Sequence, residues 1–122
     1  MPDRKTILLV DDESALRVLF SQVLERSGFQ VLEAASGQDA IALTSDSEQP
    51  IDVLVSDVMM PGMTGPQLAR QICATHPEVK VVLISGFSES PTYLEQGWEF
   101  LQKPFPPNIL CAKLHEICDN AG

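Results

Sequence analysis

The stretch ILLVDDES, residues 7–14, decides the fold and raises the first question about function. Its four apolar residues are typical of a buried β-strand. Two adjacent aspartates, Asp11 and Asp12, follow directly where that strand must end. Neighbouring carboxylates repel each other and resist burial, so their position at the end of a buried strand needs a chemical reason.

Composition limits the class of protein. The chain has 122 residues, of which 44% are hydrophobic, enough for one core. Its net charge of −9 argues against a nucleic-acid-binding surface. The three cysteines form no metal-binding pattern, and no segment resembles a signal peptide or a membrane span. We therefore expect a single domain over residues 1–122, cytoplasmic, with reduced thiols and no direct contact with nucleic acid or membrane.

Strand and helix patterns alternate five times along the chain. Apolar runs predict strands at residues 5–10, 29–34, 51–56, 79–85 and 98–102. Helical patterns follow them at residues 14–26, from Ser36 to before Pro50, from Thr64 onward, at 91–96, and from Pro106 onward. Such alternation predicts an α/β fold, in which helices cover both faces of a parallel sheet.

Local signals predict where several helices begin and end. Gly28 suits the end of the first helix, because glycine readily adopts the left-handed conformation found there. Ser36 with Asp39, and Thr64 with Gln67, have the spacing of capping boxes at the second and third helices.

Polar residues stand at the ends of four of the predicted strands. Asp11 and Asp12 follow the first strand, Asp57 the third and Lys103 the fifth, while Ser85 ends the fourth. In a parallel sheet of this type, these strand ends lie at one edge, where the working site is found. Each residue alone has an ordinary explanation as a cap, a turn or a surface charge. Their joint occurrence indicates a site.

The chemistry of these residue types suggests phosphoryl transfer. Clustered carboxylates need a cation, and their hard oxygen atoms suit Mg²⁺. A lysine and a hydroxyl nearby can bind phosphoryl oxygens, and one carboxylate can act as a nucleophile on phosphorus. The site would then accept a phosphoryl group on an aspartate.

Four motifs give the chain a resemblance to a known family. They are VDD at 10–12, DVMMPGMTG at 57–65, ISG at 84–86 and FLQKPF at 100–105. Together they resemble the CheY-like response-regulator receiver domain of bacterial two-component phosphorelay signalling, over almost the whole chain. The resemblance implies a flavodoxin-like, doubly wound parallel sheet of five strands in the order 2-1-3-4-5.

The resemblance also implies roles for the acidic residues. Asp57 matches the phosphoacceptor and a ligand of Mg²⁺. Asp12 matches the direct metal ligand, and Asp11 the acidic neighbour that acts largely through water. The backbone carbonyl of Met59 matches the third protein ligand.

Further matches concern signalling. Ser85 matches the switch hydroxyl, Lys103 the phosphate-binding lysine and Phe100 the switch aromatic, while the Lys103-Pro104 bond is usually cis in the family. The implied partners are a histidine kinase or histidine phosphotransferase and a downstream output protein or domain. The output partner would recognise the face formed by the fourth predicted helix, the fifth strand and the last helix.

Other classes of protein fit the sequence less well. A haloacid-dehalogenase-like phosphatase needs an acidic residue two positions after its aspartate nucleophile, and Met59 stands there. A flavodoxin-type flavin binder needs a polar, uncharged phosphate loop where this chain has VDDES, and the P-loop motif is absent. A pseudo-receiver, an interaction module without phosphorylation, remains as the alternative, although all five polar positions are filled.

Two large apolar residues are expected to control water access. By position, Met59 and Phe87 flank the line along which water would attack phosphorus on Asp57. Neither can act as a general base, so we expect slow self-dephosphorylation and no enzymatic activity beyond reactions at Asp57. The FLQKPF ending resembles receivers at the ends of hybrid histidine kinases, but the sequence leaves open both a stand-alone regulator and a receiver from a larger regulator.

Overall fold

The computed structural model describes residues 4–46, 50–86, 97–103 and 105–120. Within them, strands and helices alternate in the order β1 (Thr6–Val10), α1 (Ser14–Arg26), β2 (Gln30–Ala34), α2 (Gly37–Asp46), β3 (Val53–Asp57), α3 (Gly65–Thr75), β4 (Lys80–Ser85), β5 (Glu99–Gln102) and α4 (Pro107–Asn120). The short helix predicted at 91–96 lies outside the described residues. The last helix begins at the second of the two prolines that predicted its start.

The five strands form one parallel sheet in the order β2-β1-β3-β4-β5, which confirms the predicted fold class. The register aligns the carboxyl ends of neighbouring strands. Val10 at the end of β1 pairs with Ser56 in β3, and Ser85 at the end of β4 pairs with Gln102 in β5. The polar residues that follow these positions are thereby brought to one edge of the sheet.

Two hydrophobic clusters cover the two faces of the sheet. Because strand side chains alternate between faces, Leu8 and Val10 belong to the cluster beneath α2 and α3, and Ile7 and Leu9 to the cluster beneath α1 and α4. Both clusters contain fully buried leucines, each worth roughly 1.5–3 kcal/mol of stabilisation. The residues of β1 are all buried, as the opening apolar run predicts. The acidic pair thus follows a fully buried strand that pairs with a neighbour on each side.

Helix ends follow the predicted signals with one difference. Gly28 has a φ of 101°, as expected of a glycine that ends a helix. At α3 the capping box is complete, since the N–H of Gln67 donates to Thr64 Oγ1 and Gln67 Oε1 accepts from the Thr64 N–H. At α2 the structure shows its first half, from the Asp39 N–H to Ser36 Oγ. The aspartate side chain is one methylene shorter than the Glu or Gln of a full box.

The third strand is shifted from its predicted position. It was expected at 51–56 and occupies Val53–Asp57, so Asp57 is its last residue and pairs with Ile84. Hydrogen bonds to the neighbouring strands set these limits, because Val58 N–H still reaches the carbonyl of Ile84. Beyond it, α3 approaches so closely that a Cβ at Gly65 would collide with the Asp57 carbonyl. Asp57 is thus held between a strand and the start of a helix.

The cysteines are placed as expected of core residues. Cys111 is buried, and Cys118 packs on the same cluster from the same helix. No disulfide occurs in the part of the chain that the structure describes. Among the helices of that part, none is both long and apolar enough to cross a membrane.

Candidate functional site

The carboxyl ends of β1 and β3 bring three aspartates together. Asp11, Asp12 and Asp57 each offer one carboxylate oxygen, and these oxygens all lie within 4.8 Å of one another. Asp11 is 2% exposed and Asp57 is 8% exposed, whereas Asp12 is open to solvent. The cluster predicted from the sequence is therefore present, with two of its three members buried.

Asp11 is fixed by hydrogen bonds at three of its groups. Its N–H donates to the carbonyl of Ala34 at 3.2 Å, and its Oδ1 accepts from the N–H of Glu13 at 2.9 Å. Its carbonyl oxygen accepts from Nη1 of Arg17 at 2.7 Å. The turn that leaves β1 is consequently tied both to β2 and to the first turn of α1.

A lysine directly after β5 faces the cluster. Lys103 Nζ lies 3.3 Å from Asp57 Oδ1, and the backbone N–H of Lys103 donates to the Ser85 carbonyl at 2.8 Å. The backbone bond ties the lysine to the end of β4. Its side chain is 32% exposed, so the lysine contacts both the solvent and the carboxylate.

The surroundings of Asp57 favour its protonated form. Burial and the negative charge of the neighbouring Asp11 raise the pKa of this carboxyl, and Lys103 offsets part of the rise, so that the resulting pKa is about 7. A single lysine does not compensate the clustered negative charge. The site is thus electrostatically suited to a bound cation.

The Ser85 hydroxyl is buried beside this cluster. The residue is 1% exposed, and among the described residues its Oγ has no hydrogen-bond partner. Ser56, in the neighbouring strand, instead donates its hydroxyl to the Asp57 carbonyl at 2.9 Å. A buried hydroxyl without a partner is costly, and Ser85 has a donor free for an incoming oxygen.

The remaining predicted site residues divide into two groups. Met59 is 63% exposed, and Phe100 is half-buried against the cluster beneath α2 and α3. Phe87 and Pro104 lie outside the described residues. The predicted gate at Phe87 and the predicted cis bond between Lys103 and Pro104 therefore have no structural test. Both stay predictions.

The donor set fits Mg²⁺. Three carboxylates supply only oxygen ligands, the atoms that this ion prefers, and no histidine or thiol belongs to the group. Asp11, Asp12 and Asp57 are the side chains that would hold it.

Sequence reasoning missed Arg17. Besides its bond to Asp11, its Nε donates to Glu33 Oε1 at 3.1 Å. The available signal is a cationic residue one turn into the helix that follows the acidic strand end. The signal is weak, because Arg17 stands between apolar residues along α1.

Comparison with known proteins identifies the family of the chain. The family model for the response regulator receiver domain matches residues 7–115. The chain belongs to this family, the receiver domains of two-component signalling.

Relatives are found in longer proteins. The sensor kinase CckA of Brucella abortus is 38% identical over 120 residues, which cover 93% of this chain and 12% of that protein. The phosphate regulon transcriptional regulatory protein PhoB of Pseudomonas aeruginosa is 32% identical over 125 residues, covering 97% of this chain and 53% of PhoB. The chain thus spans about half or less of these relatives.

Solved structures share the fold. The receiver domain from hybrid histidine kinase CckA superposes with a TM-score of 0.79 at 33% identity, covering 91% of this chain and 96% of that one. The chemotaxis response regulator CheY4 of Vibrio cholerae gives a TM-score of 0.81 at 27% identity, covering 94% and 99% of the two chains.

Proposed function

We propose that this domain is a phosphorylatable switch in which Asp57 accepts a phosphoryl group from a phosphohistidine in the presence of Mg²⁺. One observation carries the proposal. The Asp57 carboxylate lies between two acidic neighbours that can share a cation and a lysine whose Nζ is 3.3 Å away. A nucleophile between a cation site and an ammonium is the arrangement that phosphoryl transfer needs.

Each group has a role in this transfer. An Asp57 oxygen attacks phosphorus and forms a P–O bond, while the P–N bond breaks and the donor histidine leaves. Mg²⁺ supplies neutralisation of the phosphoryl oxygens when it is bound. Lys103 neutralises a further oxygen, and Asp57 must be ionised to attack. Because its pKa is raised to about 7, only part of the protein carries the ionised Asp57 at neutral pH, and a cation held by the neighbouring carboxylates would favour that form.

The buried Ser85 hydroxyl would report the reaction. Once a phosphoryl group is on Asp57, the hydroxyl gains an acceptor that it lacks among the described residues. Phe100 lies one residue before Leu101, the register partner of Ile84 in β4. It then moves into the space that Ser85 leaves. This is a population shift driven by the better binding of the phosphoryl group in one state.

Partners follow from this chemistry and from the relatives. A histidine kinase or histidine phosphotransferase supplies the phosphoryl group, and an output protein or an attached domain recognises the switched face. The domain itself catalyses nothing beyond its own phosphorylation and a slow loss of the phosphoryl group.

Intact-mass measurement tests the acceptor. The parent incubated with acetyl phosphate and Mg²⁺ should gain the mass of one phosphoryl group, and Asp57→Asn should gain none. Asp52→Asn, at the other end of the same strand, is the matched control and should be modified like the parent. An adduct that persists in Asp57→Asn would place the acceptor at another residue. If the parent gains no adduct, the proposal fails and the pseudo-receiver becomes the better interpretation.

Tryptophan emission tests the switch. Trp98 precedes β5 and packs on the same cluster as Phe100, so its fluorescence should change when beryllofluoride occupies the site. Phe100→Ala should keep phosphorylation and lose most of that change. Identical emission in the two states, together with unchanged amide exchange over 97–103, would contradict switching at this face.

A further inference from the structure

The guanidinium of Arg17 connects three parts of the acidic edge. It lies in the first turns of α1, its Nη1 donates to the Asp11 carbonyl at 2.7 Å, and its Nε donates to Glu33 of β2 at 3.1 Å. The Arg17 side chain is 16% exposed. Two hydrogen bonds, one of them to a backbone carbonyl, and this degree of burial hold the planar guanidinium in one orientation.

The carbonyl that Arg17 holds belongs to the peptide bond between Asp11 and Asp12. Because a peptide unit is planar, fixing its oxygen also fixes the direction in which the chain continues to the Asp12 Cα. The Asp12 carboxylate has no hydrogen bond or ion pair of its own within the described parts of the chain, and it is exposed. Its position therefore depends on the backbone that carries it.

The three aspartates differ in how they are held. Asp57 ends a strand and faces Lys103, and Asp11 is buried with its side chain bonded to the Glu13 N–H. Within the described residues, Asp12 is held only through the peptide bond whose carbonyl accepts from Arg17. An ion that needs oxygen ligands at short, defined distances is sensitive to the weakest-held ligand.

We propose that Arg17, oriented by Glu33, is a positioning residue that sets Asp12 for binding of a divalent cation. This inference rests on the proposed function, because it assigns a support to the same site. Outer partners that orient metal ligands typically contribute tenfold or more to metal affinity.

The test is Mg²⁺ affinity measured by thermal-shift titration without any phosphodonor. Arg17→Met keeps the aliphatic stem and removes both hydrogen bonds, and it should raise the Kd for Mg²⁺ by about tenfold. Arg4→Met is the matched control. Arg4 also donates to a backbone carbonyl, that of Phe29 at 2.9 Å, but near the amino ends of the strands. Its Kd should stay within about twofold of the parent value.

A second readout separates positioning from general damage. With acetyl phosphate as donor, Arg17→Met should need more Mg²⁺ for half-maximal phosphorylation, while its rate at saturating Mg²⁺ returns near that of the parent. Arg17→Lys can reach one acceptor but not both in the same geometry, so its Kd should be intermediate.

Glu33→Gln keeps an oxygen acceptor and removes the charge, and its Kd should rise about threefold, less than in Arg17→Met. If Arg17→Met does not fold, this variant and Arg17→Lys decide the matter, and unchanged Kd values in both overturn the inference. An Arg17→Met Kd within twofold of the parent, or an equal rise in Arg4→Met, overturns it as well. A parent that shows no Mg²⁺ response overturns the proposed function together with this inference.

Discussion

The two ends of β3 carry aspartates in opposite circumstances. Asp52, just before the strand, accepts a hydrogen bond from the Thr6 N–H at 2.8 Å, and its own N–H donates to the Thr6 carbonyl at 2.9 Å. Asp57, at the other end, is 8% exposed, lies beside Asp11, and has the Lys103 ammonium at 3.3 Å. At the amino end of β3 an aspartate completes the hydrogen bonds of the sheet. At the carboxyl end another aspartate adds buried negative charge.

The difference shows which carboxylate is available for chemistry. At the amino end, the carboxylate of Asp52 satisfies a buried backbone donor that would otherwise lack a partner. At the carboxyl end, the backbone bonds are already made, since Val58 N–H reaches the Ile84 carbonyl at 2.9 Å. The Asp57 carboxylate is therefore not needed by the fold, and its burial beside Asp11 costs stability. Charge of this kind at a strand end indicates function.

The largest expected effect is on the pH dependence of stability without metal. The pKa of Asp57 is about 7 in the folded protein and 3.8 in the unfolded reference. Between these values the folded state holds a proton that the unfolded state has lost, so the free energy of unfolding must fall as pH rises through this window. We expect a loss of about 2–3 kcal/mol between pH 5 and pH 8, since each pH unit between 5 and the folded pKa of about 7 is worth about 1.4 kcal/mol.

Urea unfolding in EDTA at several pH values measures this loss. Asp57→Asn cannot titrate there, so its stability should fall less and should exceed that of the parent at pH 8. The two proteins share every other titratable group, so the difference between the two curves isolates the contribution of Asp57. Parallel curves would show that the pKa of Asp57 is not raised in the folded protein and that its burial does not favour the protonated form.

At the amino end of β3, removing the carboxylate should lower stability instead of raising it. Asp52→Ala leaves the buried Thr6 N–H without its acceptor, and stability should fall by about 1–2 kcal/mol at any pH from 5 to 8. Asp52→Asn keeps an oxygen acceptor and should recover most of the loss. Chemical denaturation at constant pH decides this, and an unaffected Asp52→Ala would remove the contrast between the two aspartates.

Magnesium should sharpen the contrast by acting at one end only. Binding to the folded state at ten times Kd adds about 1.4 kcal/mol, which raises the melting temperature. Asp12→Ala should lose most of this shift, and Asp52→Ala should keep it at its lower starting temperature. A full Mg²⁺ shift in Asp12→Ala would contradict the ligand assignment.

Much of the fold and of the acidic cluster could be predicted from the sequence because both depend on regular patterns. The apolar run of residues 7–10 identifies a buried strand, and right-handed parallel connections then bring the residues after each strand to one edge. Asp11, Asp12, Asp57 and Lys103 meet there as expected. Strand limits were less accurate, since the register with β4 rather than the apolar pattern ends β3 at Asp57.

The support of the site could not be predicted in the same way. Arg17 reaches a backbone carbonyl six residues earlier and a side chain sixteen residues later, and no sequence periodicity encodes a bond between a side chain and a backbone group. The unequal burial of Asp11 and Asp12 also depends on how α1 leaves the strand. Neighbouring identical residues carry no such information in the sequence.

The smallest expected effect concerns how long the phosphoryl group stays on Asp57. Water must attack phosphorus opposite the Asp57 oxygen, and Met59 and Phe87 flank that approach by position in the sequence. Met59 is 63% exposed, so its large apolar side chain stands at the surface by the acidic edge, where it can hinder an arriving water but cannot activate one.

We therefore expect slow phosphate release from the phosphorylated domain in Mg²⁺. Met59→Asn and Phe87→Glu should each accelerate it about threefold or more, a change of roughly 0.7 kcal/mol in the barrier. Leu19→Asn replaces a comparably exposed apolar residue on α1 and serves as the control, with an unchanged rate. Because the added side chains can orient water, the increase should appear in the rate constant of release and not in the yield of phosphorylation. A parent that releases phosphate rapidly, with neither substitution changing the rate, would show that the approach to phosphorus is open and that Met59 packs on the surface without a role in the lifetime of the signal.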